Sequence, residues 1–143
     1  MNIKLLIEEA LKARTFSYSP YSGFQVGAAL LAKDGQIFTG CNIESASYTP
    51  SNCAERTAFF KAVSQGVRGF DAIAVVGGPK EAETLDYCTP CGVCRQVMME
   101  FCNPKTFQVI VARNPEDYQI FTLEEILPMG FGPKDLERQE SYD

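Results

Sequence analysis

The sequence predicts an α/β fold, an α/β/α three-layer domain built on a five-stranded mixed sheet. Three observations predict it. Helix-period and strand-type segments alternate along the 143 residues in the order αββαβαββα. The last two strand segments are only about five residues apart. That gap is too short for a parallel crossover, so this pair is antiparallel and the sheet mixed. Finally, 45% apolar and 22% charged residues, without repeats or low-complexity stretches, are the composition of a globular chain. At this length one domain is expected, covering 1–143, with a polar tail from about 134 that frays or packs on a neighbour.

Each element has its own signal. Within residues 2–16, Ile3, Leu6, Ile7, Ala10 and Leu11 recur at helical spacing. Ser19-Pro20-Tyr21-Ser22-Gly23 reads as a turn, and Val26 to Ala32 as a buried strand. Asp34-Gly35 is a hairpin signal, returning the chain through Gln36 to Cys41. Asn52 is placed to cap a helix from Cys53 to about Gln65, which Gly66 stops. Ala72 to Val76 is a short apolar run ending in Gly77-Gly78-Pro79, the pattern of a fully buried strand. Residues 79–89 form a polar loop. Thr89 then caps a helix running to about Phe101, with Pro90 in its favoured first position. Phe107 to Ala112 and Tyr118 to Phe121 are the closing strands. Thr122-Leu123-Glu124-Glu125 opens a short helix as a capping box, and Pro128 ends it.

Composition excludes several function classes. The net charge of -5 repels phosphate backbones, so no nucleic-acid partner is expected and a small neutral molecule is. No run of about 18 apolar residues exists, so no membrane span is expected. The apolar stretch at the start is too short for a signal peptide and is broken by Glu8 and Glu9, which points to the cytoplasm. There the six cysteines read as metal ligands or free thiols. The absence of histidine removes Ser-His-Asp triads, Cys-His pairs and imidazole bases together.

Two short clusters carry the chemistry: Cys53-Ala54-Glu55 and Pro90-Cys91-Gly92-Val93-Cys94. Three thiolates plus an open position suit a hydrolytic zinc site. Glu55, two residues from Cys53, is placed to act on a water in that position. Cys91 and Cys94 share a helix face, and helix N-termini favour thiolate over thiol. Arg56 and Arg95 are expected to balance the excess negative charge of three thiolates. Rival readings stand beside this one. Pro-Cys-x-x-Cys alone also fits a redox dithiol or a structural zinc half-site. Asn52-x-x-Glu55 also fits a capping box. Cys88-x-x-Cys91-x-x-Cys94 has the start of an iron–sulfur run, but Met98 stands where the next cysteine belongs.

The two clusters together match the zinc deaminase signature, with Cys53 in its first ligand position. The chain resembles the small homotetrameric cytidine deaminases nearly end to end. The matching segments are Ser19-Pro20-Tyr21-Ser22-Gly23-Phe24, Val26-Gly27-Ala28-Ala29, Gly40-Cys41-Asn42-Ile43-Glu44, Ala46-Ser47-Tyr48, Cys53-Ala54-Glu55-Arg56-Thr57-Ala58, Pro90-Cys91-Gly92-Val93-Cys94-Arg95-Gln96 and Phe131-Gly132-Pro133. The resemblance implies one Zn²⁺ per subunit on Cys53, Cys91 and Cys94, with Glu55 shuttling protons in the hydrolysis of cytidine and deoxycytidine to uridine and deoxyuridine, a step of pyrimidine salvage. It implies that Asn42 and Glu44 bind the ribose hydroxyls, that Phe24 packs on the pyrimidine, and that backbone near Ala54 and Cys91 reads the base edge. Tyr48 and Phe131 resemble positions that reach a neighbouring subunit's site in a homotetramer. A blasticidin-S-type aminohydrolase shares the two clusters, and a non-catalytic zinc or iron–sulfur module is the alternative from another class. One departure stands out: the loop from Pro79 to Cys88 is long and acidic, and brings Cys88 close to the ligands. Cys41 and Cys102 read as plain buried thiols.

Overall fold

A computed structural model describes residues 1–136. The elements run α1 (Ile3–Arg14), β1 (Phe24–Ala32), β2 (Ile37–Cys41), α2 (Ala54–Ser64), β3 (Phe70–Pro79), α3 (Gly92–Phe101), β4 (Gln108–Asn114), β5 (Asp117–Thr122) and α4 (Leu123–Ile126), with a 3₁₀ turn at Pro133–Leu136. This is the expected order. The strands form one sheet, β2-β1-β3-β4-β5, in which only β3 and β4 are parallel. The tail was expected to begin at about 134; its residues 137–143 lie outside those described.

Side-chain alternation along the sheet builds two cores. Ala29, Ala74, Val76 and Ile110 face α1, where Leu6, Ile7 and Ala10 meet them. Ala28, Leu30, Ile73, Val75, Val109 and Val111 face the other way, against Ala58, Phe59 and Ala62 of α2 and Met98 of α3. Phe59 is fully buried and packs edge-on against Phe70, with ring centroids 5.1 Å apart. This aromatic anchor fixes how α2 is rotated on the sheet. Small residues set the layer spacing. A Cβ at Gly40 of β2 would fall 2.4 Å from the Ala54 carbonyl oxygen, and one at Gly27 of β1 would fall 2.0 Å from that of Ala10. Glycine at these two places lets a helix backbone lie directly on a strand backbone.

Most boundaries differ from the sequence reading by one to three residues, as element ends commonly do. β3 is the largest extension, reaching Phe70 and Pro79 because it pairs with β1 along its whole length. Two expected caps are corrected. Cys53, not Asn52, is the N-cap of α2, and Cys91, not Thr89, is the N-cap of α3. The Asn52 amide instead donates to the Thr57 hydroxyl at 3.2 Å. The Asn52–Glu55 capping box does not form, whereas the Thr122–Glu125 box does. Asp34-Gly35 makes the hairpin, with Gly35 at φ 94. No helix among the described residues is long and apolar enough to cross a membrane.

Candidate active site

Strand direction brings the two cysteine clusters together. β2 and β3 are each antiparallel to β1, which lies between them, so both run the same way. Their C-terminal ends share one edge of the sheet, and the chain leaves each end to start a helix on the same face. The N-termini of α2 and α3 therefore converge, the usual location of ligand sites in α/β sheets.

The capping positions explain the aim of the thiols. Cys53 and Cys91 both have extended backbones, at φ -77, ψ 157 and φ -69, ψ 168, and neither side chain caps the backbone of its own helix. Released from capping, the two sulfurs meet at 3.8 Å, and Cys94 Sγ lies 3.4 Å from Cys91 Sγ. All three sulfurs fall within 4.8 Å of one another. Tetrahedral Zn–S bonds of about 2.3 Å require sulfurs about 3.8 Å apart, so the trio fits zinc. Cys53 is disposed to ionise. A hydrogen bond from Cys94, followed by contacts from Arg56 and Cys91, outweighs its burial and brings its pKa down to about 5. Cys94 shifts upward, because it donates to Cys53 and is buried.

Glu55 is the one buried charged residue among those described, 4% exposed in the first turn of α2. Burial pushes its pKa up to about 7, and the Cys53 charge adds to the effect. Beside it opens a cavity of about 280 Å³. The start of α2, Asn42, Glu44, Cys88, Thr89 and Cys91 contribute to its lining. A cleft of this size suits a small ligand of nucleoside dimensions.

Residues 1–111 match the family model described as the cytidine and deoxycytidylate deaminase zinc-binding region. The chain belongs to the cytidine and deoxycytidylate deaminase family. Similar deaminases include the cytidine deaminase of Sporosarcina psychrophila, 52% identical over 136 residues that cover 95% of this chain and 96% of that protein. The cytidine deaminase of Halalkalibacterium halodurans is 51% identical over 136 residues, covering 95% and 98% respectively. The crystal structure of cytidine deaminase from Burkholderia pseudomallei superposes with a TM-score of 0.81 at 47% identity, covering 92% of this chain and all of that one. Zinc is thus the metal of this deaminase, and the Cys53, Cys91 and Cys94 cluster is positioned for it.

Around the deaminase cavity the remaining candidates separate. Ala54 is fully buried at the start of α2 and lines the cavity. Asn42 edges it and clips β1 beyond the end of β2: Oδ1 accepts from Val26 N at 2.8 Å and Nδ2 donates to Phe24 O at 2.8 Å. Glu44 Oε1 accepts from the amides of Tyr21 and Ser22, both at 3.1 Å, while Oε2 takes the Ser22 hydroxyl. The Ser22 hydroxyl is the main reason its carboxyl lies below the ordinary range. Phe24, at the start of β1, is 40% exposed and does not line the cavity. Tyr48 is 73% exposed, at φ 63, edge-on to Tyr21 over an adjoining hollow that Glu44 shares. Phe131 is 57% exposed and holds Gln96 Nε2 through its carbonyl at 2.7 Å.

The two arginines also part company. Arg56 Nη2 donates to Cys53 Sγ at 3.3 Å, while its buried Nε has no partner among the described residues. Arg95 instead donates Nε to Pro90 O at 2.8 Å and Nη1 to Ile126 O at 2.6 Å. Its hydrogen bonds tie α3 to α4 and none reaches a thiol. All six cysteines are free; Cys102 is buried as expected, whereas Cys41 is only half-buried. The sequence reading gave no role to Cys88, read Thr89 only as a helix cap and Val26 only as a strand start, and did not single out Ser51; all four line the same cavity. Cys88 had a signal, three residues before Cys91. The other three become visible only when β1 and the segments before α2 and α3 are brought to the same edge.

Proposed function

We propose that this chain hydrolyses cytidine and deoxycytidine to uridine and deoxyuridine, releasing ammonia. The observation that carries this reading is the buried Glu55 carboxyl beside the three-sulfur cluster, in the lining of a cavity of about 280 Å³. Zinc held by Cys53, Cys91 and Cys94 supplies Lewis acidity, which makes a water nucleophilic near pH 7. Glu55 takes the proton of the attacking water and passes it to the ring nitrogen beside the amine-bearing carbon. Oxygen joins that carbon, and Glu55 carries the second water proton to the amino group as ammonia leaves. One carboxyl serves both transfers because it alternates between base and acid. Arg56, bonded to Cys53, offsets part of the thiolate charge.

Asn42 and Glu44 bind the ribose hydroxyls in this reading. Their oxygens already accept internal hydrogen bonds, but an ionised carboxylate has about four acceptor positions and keeps room for a hydroxyl. Phe24 stands outside the cavity, two residues before the lining Val26, and covers the pyrimidine from that rim, while backbone at Ala54 and Cys91 reads its edge. Glu44 also favours a nucleoside over a nucleotide: among the residues lining the cavity the one cation is Arg56, which is held by Cys53. A 5′-phosphate would meet the Glu44 carboxylate and no second cation there. The wide exposure of Tyr48 and Phe131 supports a homotetramer in which they reach a neighbour's site. The chain acts as one domain in cytoplasmic pyrimidine salvage.

The test is ammonia release from cytidine by the purified protein, with and without a chelator, beside Glu55→Gln. The variant keeps its zinc and loses about 10²–10⁴-fold in kcat. A near-normal rate in Glu55→Gln removes the carboxyl from the reaction. A brown, iron-containing protein returns the iron–sulfur alternative.

A further inference from the structure

The long loop after β3 is carried by very little core. From Lys80 to Tyr87 one side chain, Leu85, is buried. Behind the loop lies a second cavity of about 370 Å³, between Leu85 on one side and Leu11 and Arg113 on the other. Apolar packing therefore does not hold most of this segment down. Polar ties do so at both ends.

At the start, Arg14 of α1 donates Nη2 to Gly78 O at 3.0 Å and to Pro79 O at 2.8 Å, while its Nε holds Gln25 O at 3.0 Å. At the far end, Arg113 of β4 donates Nε to Leu85 O at 2.9 Å. The same guanidinium lies 5.8 Å from the centre of the Tyr87 ring and 3.5 Å from Asp117 Oδ2. Asp117 Oδ1 takes the Tyr87 hydroxyl, which closes a three-residue knot. Cys88 and Thr89, the next two residues, form a wall of the active cavity. Cys88 Sγ rests against the bare backbone of Gly77, where a Cβ would come within 2.8 Å of it.

We propose that Arg113, Tyr87 and Asp117 are positioning residues that set the width of the active cavity by holding Cys88 and Thr89 in place. None of the three reaches the cavity, so they act only through the loop. The inference rests on the deaminase reading of that cavity. Its consequence is a fit set from outside the cavity: loosening the knot moves the wall and changes the discrimination between cytidine and a bulkier pyrimidine.

The experiment measures kcat and KM for cytidine and for 5-methylcytidine, with zinc content, on wild type, Arg113→Gln, Arg113→Lys and Tyr87→Phe. Arg113→Gln is expected to raise KM for cytidine about fivefold, the size that loss of partly exposed charged contacts allows. kcat per bound zinc stays within twofold, and discrimination against 5-methylcytidine weakens. Arg113→Lys recovers part of the effect through its retained charge. Tyr87→Phe removes one exposed hydroxyl and serves if Arg113→Gln does not fold; it shifts the same two readouts by a smaller factor. Unchanged KM and unchanged discrimination in the folded variants overturn the proposal, as does activity that falls only with zinc content. If wild type itself does not release ammonia from cytidine, the deaminase reading fails instead.

Discussion

Replacing Gly40 with alanine is expected to disable the site without replacing any residue in it. The new Cβ would lie 2.4 Å from the Ala54 carbonyl oxygen and 2.6 Å from Ala58 N. Both are backbone atoms of α2, so no rotamer change relieves the contact. Carbon and carbonyl oxygen approach to about 3.3 Å at closest, so α2 must retreat from β2 by about 1 Å. That helix begins at Cys53 and carries Glu55 and Arg56, whereas Cys91 and Cys94 belong to α3 and stay behind. The sulfur triangle opens and the carboxyl leaves its place. A misplacement of about 1 Å costs about a hundredfold in rate, which is about 2.7 kcal/mol of barrier. Overpacking costs about 1–3 kcal/mol in stability. The assay is kcat/KM on cytidine, zinc retained after dialysis against a weak chelator, and the urea midpoint. Gly92→Ala is the control, because a methyl there meets nothing within 4 Å although it sits between the ligands Cys91 and Cys94. It should match wild type within about twofold, with a small gain from helix propensity. Gly40→Ala protein with full zinc, wild-type kcat/KM and an unshifted midpoint would refute the reasoning.

Three other outcomes are expected. Cys94→Ala should lose its metal and loosen the junction of α2 and α3, since metal binding couples to folding; normal zinc content by atomic absorption removes Cys94 from the ligand set. Asn42→Ala strips partners from Val26 N and Phe24 O, and should lower the unfolding free energy by about 1–3 kcal/mol in urea; an unchanged value would show that water replaces the clip. Burial pushes the Cys102 thiol well above the ordinary range. Above about pH 8.5 the unfolded chain gives up this proton while the native chain keeps it, so stability falls as pH rises, by about 1.4 kcal/mol per unit per thiol. Cys102→Ala should flatten the alkaline slope by that amount, and an identical slope contradicts the assignment.

Local pattern was enough for most of the architecture. The helical stripe of α1, the Asp34-Gly35 hairpin and the Thr122–Glu125 capping box depend on neighbours a few residues away, and they form where the sequence places them. The candidate zinc donors Cys53, Cys91 and Cys94, and the carboxyl of Glu55, were equally legible, because they sit in two short clusters and the chain has no histidine to compete. The caps were misread because Asn52 and Thr89 are good capping residues by type. In the fold those positions go to Cys53 and Cys91, whose thiols turn toward each other across the gap between the two helices.

The sequence by itself determined the donor types the fold gathers, three sulfurs and one buried carboxyl, and offered Arg56 and Arg95 alike as their balancing charges. Tertiary structure alone decided that Arg95 spends its hydrogen bonds on the carbonyls of Pro90 and Ile126, that Phe24 stands outside the cavity, and that Cys88 and Thr89 form its wall. The physical reason is strand direction. Two helix starts 38 residues apart meet only because β1 lies between β2 and β3 and runs against both, a long-range pairing that no local window of sequence contains.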